Sequence, residues 1–303
     1  MTATTQVRAF NRVVTRRIGA LQAEYLSRGR PLGASRALWE IAAGHDDLRA
    51  LRARMDLDAG YLTRLVQSLE REGLVTLEPH PDDRRVRAVR LTAKGRAELG
   101  ELDRASDELA DSLLAHLSAS QRERLVAAMA EVERLLTAGL VEIDAEDPRS
   151  ADAQACLEAY FAEIDERFEM GYSRTAGIVL APEDMEPPRG LLLVARLDGE
   201  AIGCGVLWFH GPDVADAKRM WVAPRARGLG VGRRLLAELE RRARESGVTT
   251  IRLETNRALR EAIALYRAEG YEEVAPFNDE PHAHHWFAKA LGDRAAATLA
   301  RRT

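Results

Sequence analysis

Residues 220–236 read Met220-Trp221-Val222, then Ala223-Pro224, then Arg225-Ala226-Arg227-Gly228-Leu229-Gly230-Val231-Gly232-Arg233-Arg234-Leu235-Leu236. An apolar strand runs into a glycine-rich turn, and the turn opens a helix. Glycine lets the backbone approach a ligand closely, and consecutive N–H groups in such a turn can cradle a phosphate. The helix start adds a dipole that favours an anion. The spacing is not that of a dinucleotide-binding loop, because the acid-bearing second strand is missing, and it lacks the Gly-Lys-Ser/Thr of a P-loop. The plain alternative is a tight turn with no ligand.

The flanks of this stretch predict a mixed α/β sheet with helix crossovers. Upstream lie a strand at Leu140–Ile143, a helix from Ala153 to Met170, an irregular Pro-rich loop over 177–189, and strands Leu191–Leu197 and Ala201–Phe209 about an Asp198-Gly199 turn. A third strand runs from Lys218 to Val222. Downstream follow a helix from Gly230 to Ser246, a strand Ile251–Glu254, a helix Ala258–Glu269, and short strands Tyr271–Val274 and His285–Ala288. The Ala-rich tail from Asp293 reads as a frayed helix.

The first half has another texture. Val7, Phe10, Val13, Val14, Ile18, Leu21 and Tyr25 recur at helical spacing over 5–25. Short helices follow over 34–43 and from Leu48 to Met55. Asp58 caps a third that ends at Gly73. Strand Leu74–Leu77, a turn at Pro79–Asp83 and strand Val86–Leu91 form a hairpin. Thr92 caps a long helix from Ala93 to His116, and Ser120–Ala138 is the last. This order is a helix-turn-helix with a two-stranded wing. With 303 residues, two domains fit, and no internal repeat relates the halves. The expected architecture is a mainly-α winged helix-turn-helix domain over 1–140, then an α/β (α+β) domain with a mixed central sheet over 141–303.

Composition narrows the class. Two cysteines, Cys156 and Cys204, can build neither a disulfide framework nor a four-thiolate zinc site. No apolar run reaches the roughly 18 residues of a membrane span, and the start has no signal core. A reducing, cytoplasmic setting with no membrane partner is expected. The net charge of -4 hides segregation: residues 84–96 carry six basic side chains and no acid, whereas 98–147 carry thirteen acids against four Arg. Phosphate contact is a patch property, so double-stranded DNA is an expected partner. On the helix from Asp58, Leu62, Leu65, Val66 and Leu69 face inward and leave Tyr61, Thr63, Arg64, Gln67 and Ser68 outside. Arg64 suits guanine and Gln67 suits adenine. Arg84, Arg85 and Arg87 in the wing suit the DNA backbone or minor groove. A winged helix that only mediates protein contact is the alternative.

The segment Leu48–Leu91, with Asp82-Asp83-Arg84-Arg85 and the following Thr92-Ala93-Lys94-Gly95, resembles the MarR group of winged-helix regulators. In that group an acid two residues before an Arg shapes the wing tip, as Asp82 and Arg84 do here. The resemblance implies a homodimer joined through the first and last helices, 5–25 and 120–138. Over 141–292 the chain resembles the Gcn5-related N-acetyltransferase (GNAT) family. The matching residues are Met220-Trp221-Val222, Arg227-x-x-Gly230-x-Gly232, Glu254-Thr255-Asn256, Ala262, Leu265-Tyr266 and Gly270-Tyr271. That resemblance implies transfer of acetyl from acetyl-CoA to an amine. It assigns the pyrophosphate to Arg227, Gly228, Leu229, Gly230, Val231, Gly232 and Arg233, the pantetheine arm to Asn256, and the neighbourhood of the thioester sulfur to Tyr266.

The reaction needs a proton acceptor for an ammonium with pKa near ~10.4, a donor to the oxyanion, and a proton for a thiolate with parent pKa ~8.5. Tyr266 suits the last role. Glu254 and Asp216 are alternatives for the first, with a water chain or a neutral acceptor also open. The strand ending at Val222 offers the Met220 or Trp221 N–H to the thioester oxygen. Phe168, Tyr172, Arg174 and Trp208 are expected to line an acceptor pocket, joined by one of His284 and His285. Adjacent strand residues point to opposite sides, which argues against a metal on both histidines. Two rival functions remain: a non-catalytic acetyl-CoA-sensing regulator, and an acetyltransferase whose winged helix is only a scaffold.

Overall fold

The computed structural model describes residues 2–21, 24–79, 87–169, 171–173 and 177–292. The expectations for Asp82, Arg84, Arg85, Arg174, most of the wing turn and the tail from Asp293 lie outside these residues. The chain divides into two units, Met1–Ala130 and Glu131–Thr303.

In the first unit, α1 spans Ala3–Arg17. It stops well short of residue 25, because Gly19 turns to φ +67° and Tyr25 folds back to pack edge-on against Trp39 at 6.3 Å. The other helices are α2 (Leu32–Ala42), α3 (Leu48–Met55), α4 (Ala59–Arg71), α5 (Ala93–Leu114) and α6 (Ala119–Gly139), the last crossing the unit boundary. Asp58 caps α4 by accepting the Tyr61 N–H at 2.9 Å. The inward stripe of α4 is Leu62, Leu65, Val66 and Leu69, all buried with Leu38, Leu51 and Leu74. Each such side chain gains roughly 1.5–3 kcal/mol from leaving water. Strands β1 (Val75–Pro79) and β2 (Arg87–Leu91) pair antiparallel from Val75↔Leu91 to Pro79↔Arg87. Gly95 in the first turn of α5 is required by packing: a Cβ there would sit 2.0 Å from the Leu74 carbonyl oxygen.

The second unit is a seven-stranded sheet in the order β3-β4-β5-β6-β7-β9-β8. Its strands are β3 (Glu142–Glu146), β4 (Gly190–Leu197), β5 (Glu200–Phe209), β6 (Val214–Val222), β7 (Thr250–Thr255), β8 (Glu272–Val274) and β9 (His285–Ala290). Helices α7 (Ala151–Arg167), α8 (Val231–Glu245) and α9 (Arg260–Ala268) complete it. Strand alternation sorts the faces. Leu192 and Val194 pack with Cys156 and Leu157 of α7, whereas Leu193 and Ala195 pack with Leu235, Leu236 and Leu239 of α8. Tyr266 and Ile263 of α9 join the α8 face.

All neighbours in the sheet are antiparallel except β6 and β7. That parallel ladder covers only Val214–Asp216 against Thr250–Arg252, and beyond it the two strands are unpaired with each other. Strand β6 begins four residues before the expected Lys218. Its polar Asp216 obscures the pattern in the sequence, yet it is buried and held by His210 and Arg252.

Candidate active site

The glycine turn comes first. Gly228 and Gly230 hold φ of +82° and +76°, a region in which a non-glycine residue costs roughly 1–2 kcal/mol. Gly230 is the N-cap of α8. The first amides of a helix have no intrahelical partner, so this turn presents N–H donors to an anion. A Cβ at either glycine would meet no atom within 4 Å, so the backbone is open on the ligand side. The arginines around the turn are mostly committed to the protein. Arg233 pairs with Glu269 at 2.6 Å, Arg225 with Glu200 at 3.0 Å, and Arg234 binds the Ala138 and Val141 carbonyls. Arg227 donates to the Val222 carbonyl at 3.1 Å and to Glu163. The unpaired donors left at this turn are the backbone amides that open α8.

The turn opens on a cleft of about 490 Å³. Its walls include Met220, Trp221 and Val222 of β6, Gly228 and Gly230 of the turn, Gly232 and Arg233 at the start of α8, and Leu265 and Tyr266 of α9. From α7 it takes Tyr160, Glu163, Ile164 and Arg167. A smaller cavity of about 100 Å³ is lined by Ala217, Lys218, Arg219 and Met220 of β6 and by Glu254 and Thr255 of β7. Tyr160, Met220, Leu259, Ala262 and Tyr266 line both. A bulge prepares this junction. Cys204 pairs with Trp221 and Val206 with Lys218, so Arg219 and Met220 both face Gly205, and Arg219 sits at φ +51°. Such a bulge re-aims the backbone. Phosphate donors at one end, an apolar channel past α9 and an unpaired strand edge fit a long acyl thioester with a diphosphate.

Tyr266 is buried at 7% exposure, with its ring against Tyr271 and Phe287 at 5.9 Å each. Its hydroxyl has no hydrogen-bond partner among the described residues, and burial raises its pKa above the ordinary tyrosine value. Tyr160 shares that shift for the same reason. Glu254 lines the smaller cavity beside Lys218, to which it is ion-paired, and accepts from the Asn278 amide at 3.3 Å.

Several expected site residues are placed differently. Asp216 lines neither cavity. Its carboxylate binds His210 Nε2 at 2.9 Å and Arg252 Nε at 3.0 Å, so it is an ion-network residue beneath the site. Asn256 stands in the smaller cavity and not in the cleft, because its carboxamide is used locally. Oδ1 accepts the Ala258 N–H at 2.9 Å and Nδ2 donates to the His282 carbonyl at 2.7 Å. Trp208 lies outside both, stacked edge-on to His210 at 4.2 Å. His285 is drawn to Glu273 at 2.6 Å, and His284 lines a separate hollow with Arg257 and Arg260. Leu229 lies within the turn between the two glycines, and Val231, the first residue of α8, is buried and lines the cleft. Phe168 and Tyr172 line the smaller cavity, joined by His282. Tyr160, Glu163 and Lys218 belong to no motif read from the sequence. Tyr160, Glu163, Ile164 and Arg167 do share a helix face at i, i+3, i+4 and i+7.

On the first unit, Tyr61, Thr63, Arg64 and Gln67 are exposed on α4, and Arg87 is exposed on β2. Thr63 donates its hydroxyl back to the Ala59 carbonyl at 2.7 Å, and half-buried Ser68 reaches Glu72 at 3.5 Å. Among the described residues no helix is long and apolar enough to cross a membrane, and no group of three His, Cys, Asp or Glu side chains could hold a metal.

Residues 155–271 match the model of the acetyltransferase (GNAT) family, and residues 28–86 match that of the MarR family. An IAA acetyltransferase of Azospirillum brasilense is 33% identical over 130 residues, spanning 43% of this chain and 85% of that protein. The uncharacterized HTH-type transcriptional regulator YdgJ of Bacillus subtilis is 29% identical over 82 residues, 27% of this chain and 50% of that protein. A crystal structure of a GNAT-family acetyltransferase from Staphylococcus aureus covers 50% of this chain and 99% of its own at 16% identity, with a TM-score of 0.42.

Proposed function

We infer the function from one premise: the chain belongs to the GNAT acetyltransferase family and carries a MarR-family helix-turn-helix domain ahead of it. It joins a regulatory DNA-binding domain to an N-acetyltransferase domain that uses acetyl-CoA and an amine acceptor. We assign the first to residues 1–140 and the second to 141–303. Acetyl-CoA supplies an activated acyl thioester. The observation that carries the site assignment is the junction of the two cavities at Tyr160, Met220 and Tyr266.

In this reading the amides of the Gly228–Gly232 turn bind the diphosphate. The unpaired backbone of β6 at Met220 and Trp221 holds and polarises the thioester. Glu254 accepts a proton from the incoming ammonium, with Lys218 and Asn278 fixing its carboxylate. Tyr266 donates its proton to the departing sulfur. On the first domain, Arg64 and Gln67 read base edges and Arg87 follows the phosphates.

A homodimer and a cytoplasmic setting complete the proposal. Val7, Phe10 and Val13 of α1 and Val126, Met129, Leu135 and Leu136 of α6 are exposed, and a second copy would cover these stripes. The test is release of CoA from acetyl-CoA across a panel of amines, with duplex binding measured against salt. Amine-dependent release together with salt-sensitive DNA binding supports the reading. Acetyl-CoA binding without release under any amine reduces the second domain to a sensor, and absence of DNA binding reduces the first to a scaffold.

A further inference from the structure

The smaller cavity holds information about which amine it receives. Resting on the acetyl-transfer reading above, we propose that the acceptor is a small arylalkylamine, a primary amine carried on a short alkyl arm from an aromatic ring.

The ring wall is the first observation. Phe168, Tyr172 and His282 form one cluster, with centroids 6.0 Å apart for Phe168–Tyr172, 4.8 Å for Tyr172–His282 and 6.0 Å for Phe168–His282. Aromatic rings in offset or edge contact at such distances attract a further ring. The cluster is held by ties between chain segments. The Ser173 N–H donates to His282 Nε2 at 3.4 Å, the Ile178 N–H to Glu280 Oε2 at 2.8 Å, and the Tyr172 N–H to Asp165 Oδ1 at 2.8 Å. Ile178 and Leu180 extend the wall with apolar surface.

Charge is the second. Among the described residues, Glu254 and Glu280 line the cavity together with two cations, Lys218 and Arg219; Glu254 accepts from Lys218 and Asn278, and Glu280 from the Ile178 N–H. Both cations are committed. The Lys218 ammonium serves Glu254 and lies 3.8 Å from Asp216. The Arg219 guanidinium reaches the Leu180 carbonyl at 3.3 Å and lies 5.1 Å over the Phe161 ring. An ammonium entering here meets carboxylate acceptors. The carboxylate of an amino acid would meet the same two carboxylates.

Size is the third. The cavity of about 100 Å³ is smaller than the ~150 Å³ that accommodates one benzene ring, so it has room for no more than one ring.

The experiment measures CoA release with phenylethylamine, phenylalanine, spermidine and a lysine peptide, alongside calorimetry of acetyl-CoA. Phenylethylamine should give the highest kcat/KM by at least about tenfold. Tyr172→Ala should raise its KM by about tenfold while acetyl-CoA affinity stays unchanged. Should that variant not fold, Phe168→Leu serves the same comparison. Preference for phenylalanine, spermidine or the peptide, or no turnover of phenylethylamine by protein that binds acetyl-CoA, overturns the proposal and leaves the acetyl-CoA assignment standing. Failure to bind acetyl-CoA removes both.

Discussion

Glu163 occupies an odd position for an acid, inside a cleft suited to a diphosphate. It accepts from Trp221 Nε1 at 3.0 Å and Arg167 at 3.1 Å, and it pairs with Arg227 of the glycine turn. Its charge both orients Arg227 and opposes an anionic ligand. Glu163→Gln keeps the shape and removes the charge. Acetyl-CoA should then bind roughly three- to tenfold more tightly, since relief of a like-charge repulsion in a solvent-open cleft is worth on the order of 1 kcal/mol. Weaker binding by calorimetry would mean that orientation of Arg227 outweighs repulsion.

Tyr266 makes a second prediction at this scale. Burial raises its pKa, so the hydroxyl remains protonated throughout the working range of pH. Tyr266→Phe should lower the single-turnover rate by about 10²–10⁴-fold. The loss should be the same from pH 6 to about 9, because no titration of Tyr266 falls in that window. A wild-type rate in the Phe variant would leave the ring as packing alone.

At the scale of elements, α5 is pinned by charge. Glu98 receives Arg28 at 2.7 Å and Arg30 at 2.8 Å. The Arg28 hydrogen bond, with Arg30 and against the cost of burial, holds its carboxyl down at about 2. A carboxyl with a depressed folded pKa stabilises the fold above its unfolded pKa, here 4.5, and loses that contribution as pH falls through about 2. Glu98→Gln should therefore destabilise the first unit at pH 7 by roughly 2 kcal/mol, a shift discounted for the partly exposed Arg28. The difference from wild type should shrink between pH 5 and pH 2 in chemical denaturation. A constant difference across that range would show that the loss is one of packing.

Elements also show how far the sequence is legible. The glycine turn is readable because its demand is local: positive φ at Gly228 and Gly230 needs glycine wherever the chain goes next. The caps at Asp58 and Thr92 are readable for the same reason. The partnership of Glu254 with Lys218 is not, since the two residues are 36 apart in sequence and meet only where β6 and β7 cease to pair. Asp216 misleads as a base because the groups that occupy its carboxylate, on Arg252 and His210, come from another strand and a loop. Asn256 misleads because the Ala258 and His282 backbone groups that consume its carboxamide are set by tertiary packing.

For the whole molecule, a net charge of -4 says little about partners. In the proposed reading, recognition is local to an exposed face of α4 in one unit and to a cleft in the other. The joining of a MarR-family domain to a GNAT domain makes acetyl-CoA binding the property on which the rest depends. It is tested most directly by calorimetric titration of acetyl-CoA into the wild-type protein and Gly230→Leu. Gly230 stands at φ +76° on the open side of the cleft, so a side chain there opposes both the turn and the ligand. The account predicts saturable binding by wild type and loss of at least about a hundredfold in Gly230→Leu, with DNA binding by the first unit unchanged. Equal acetyl-CoA affinity in the two proteins would contradict it.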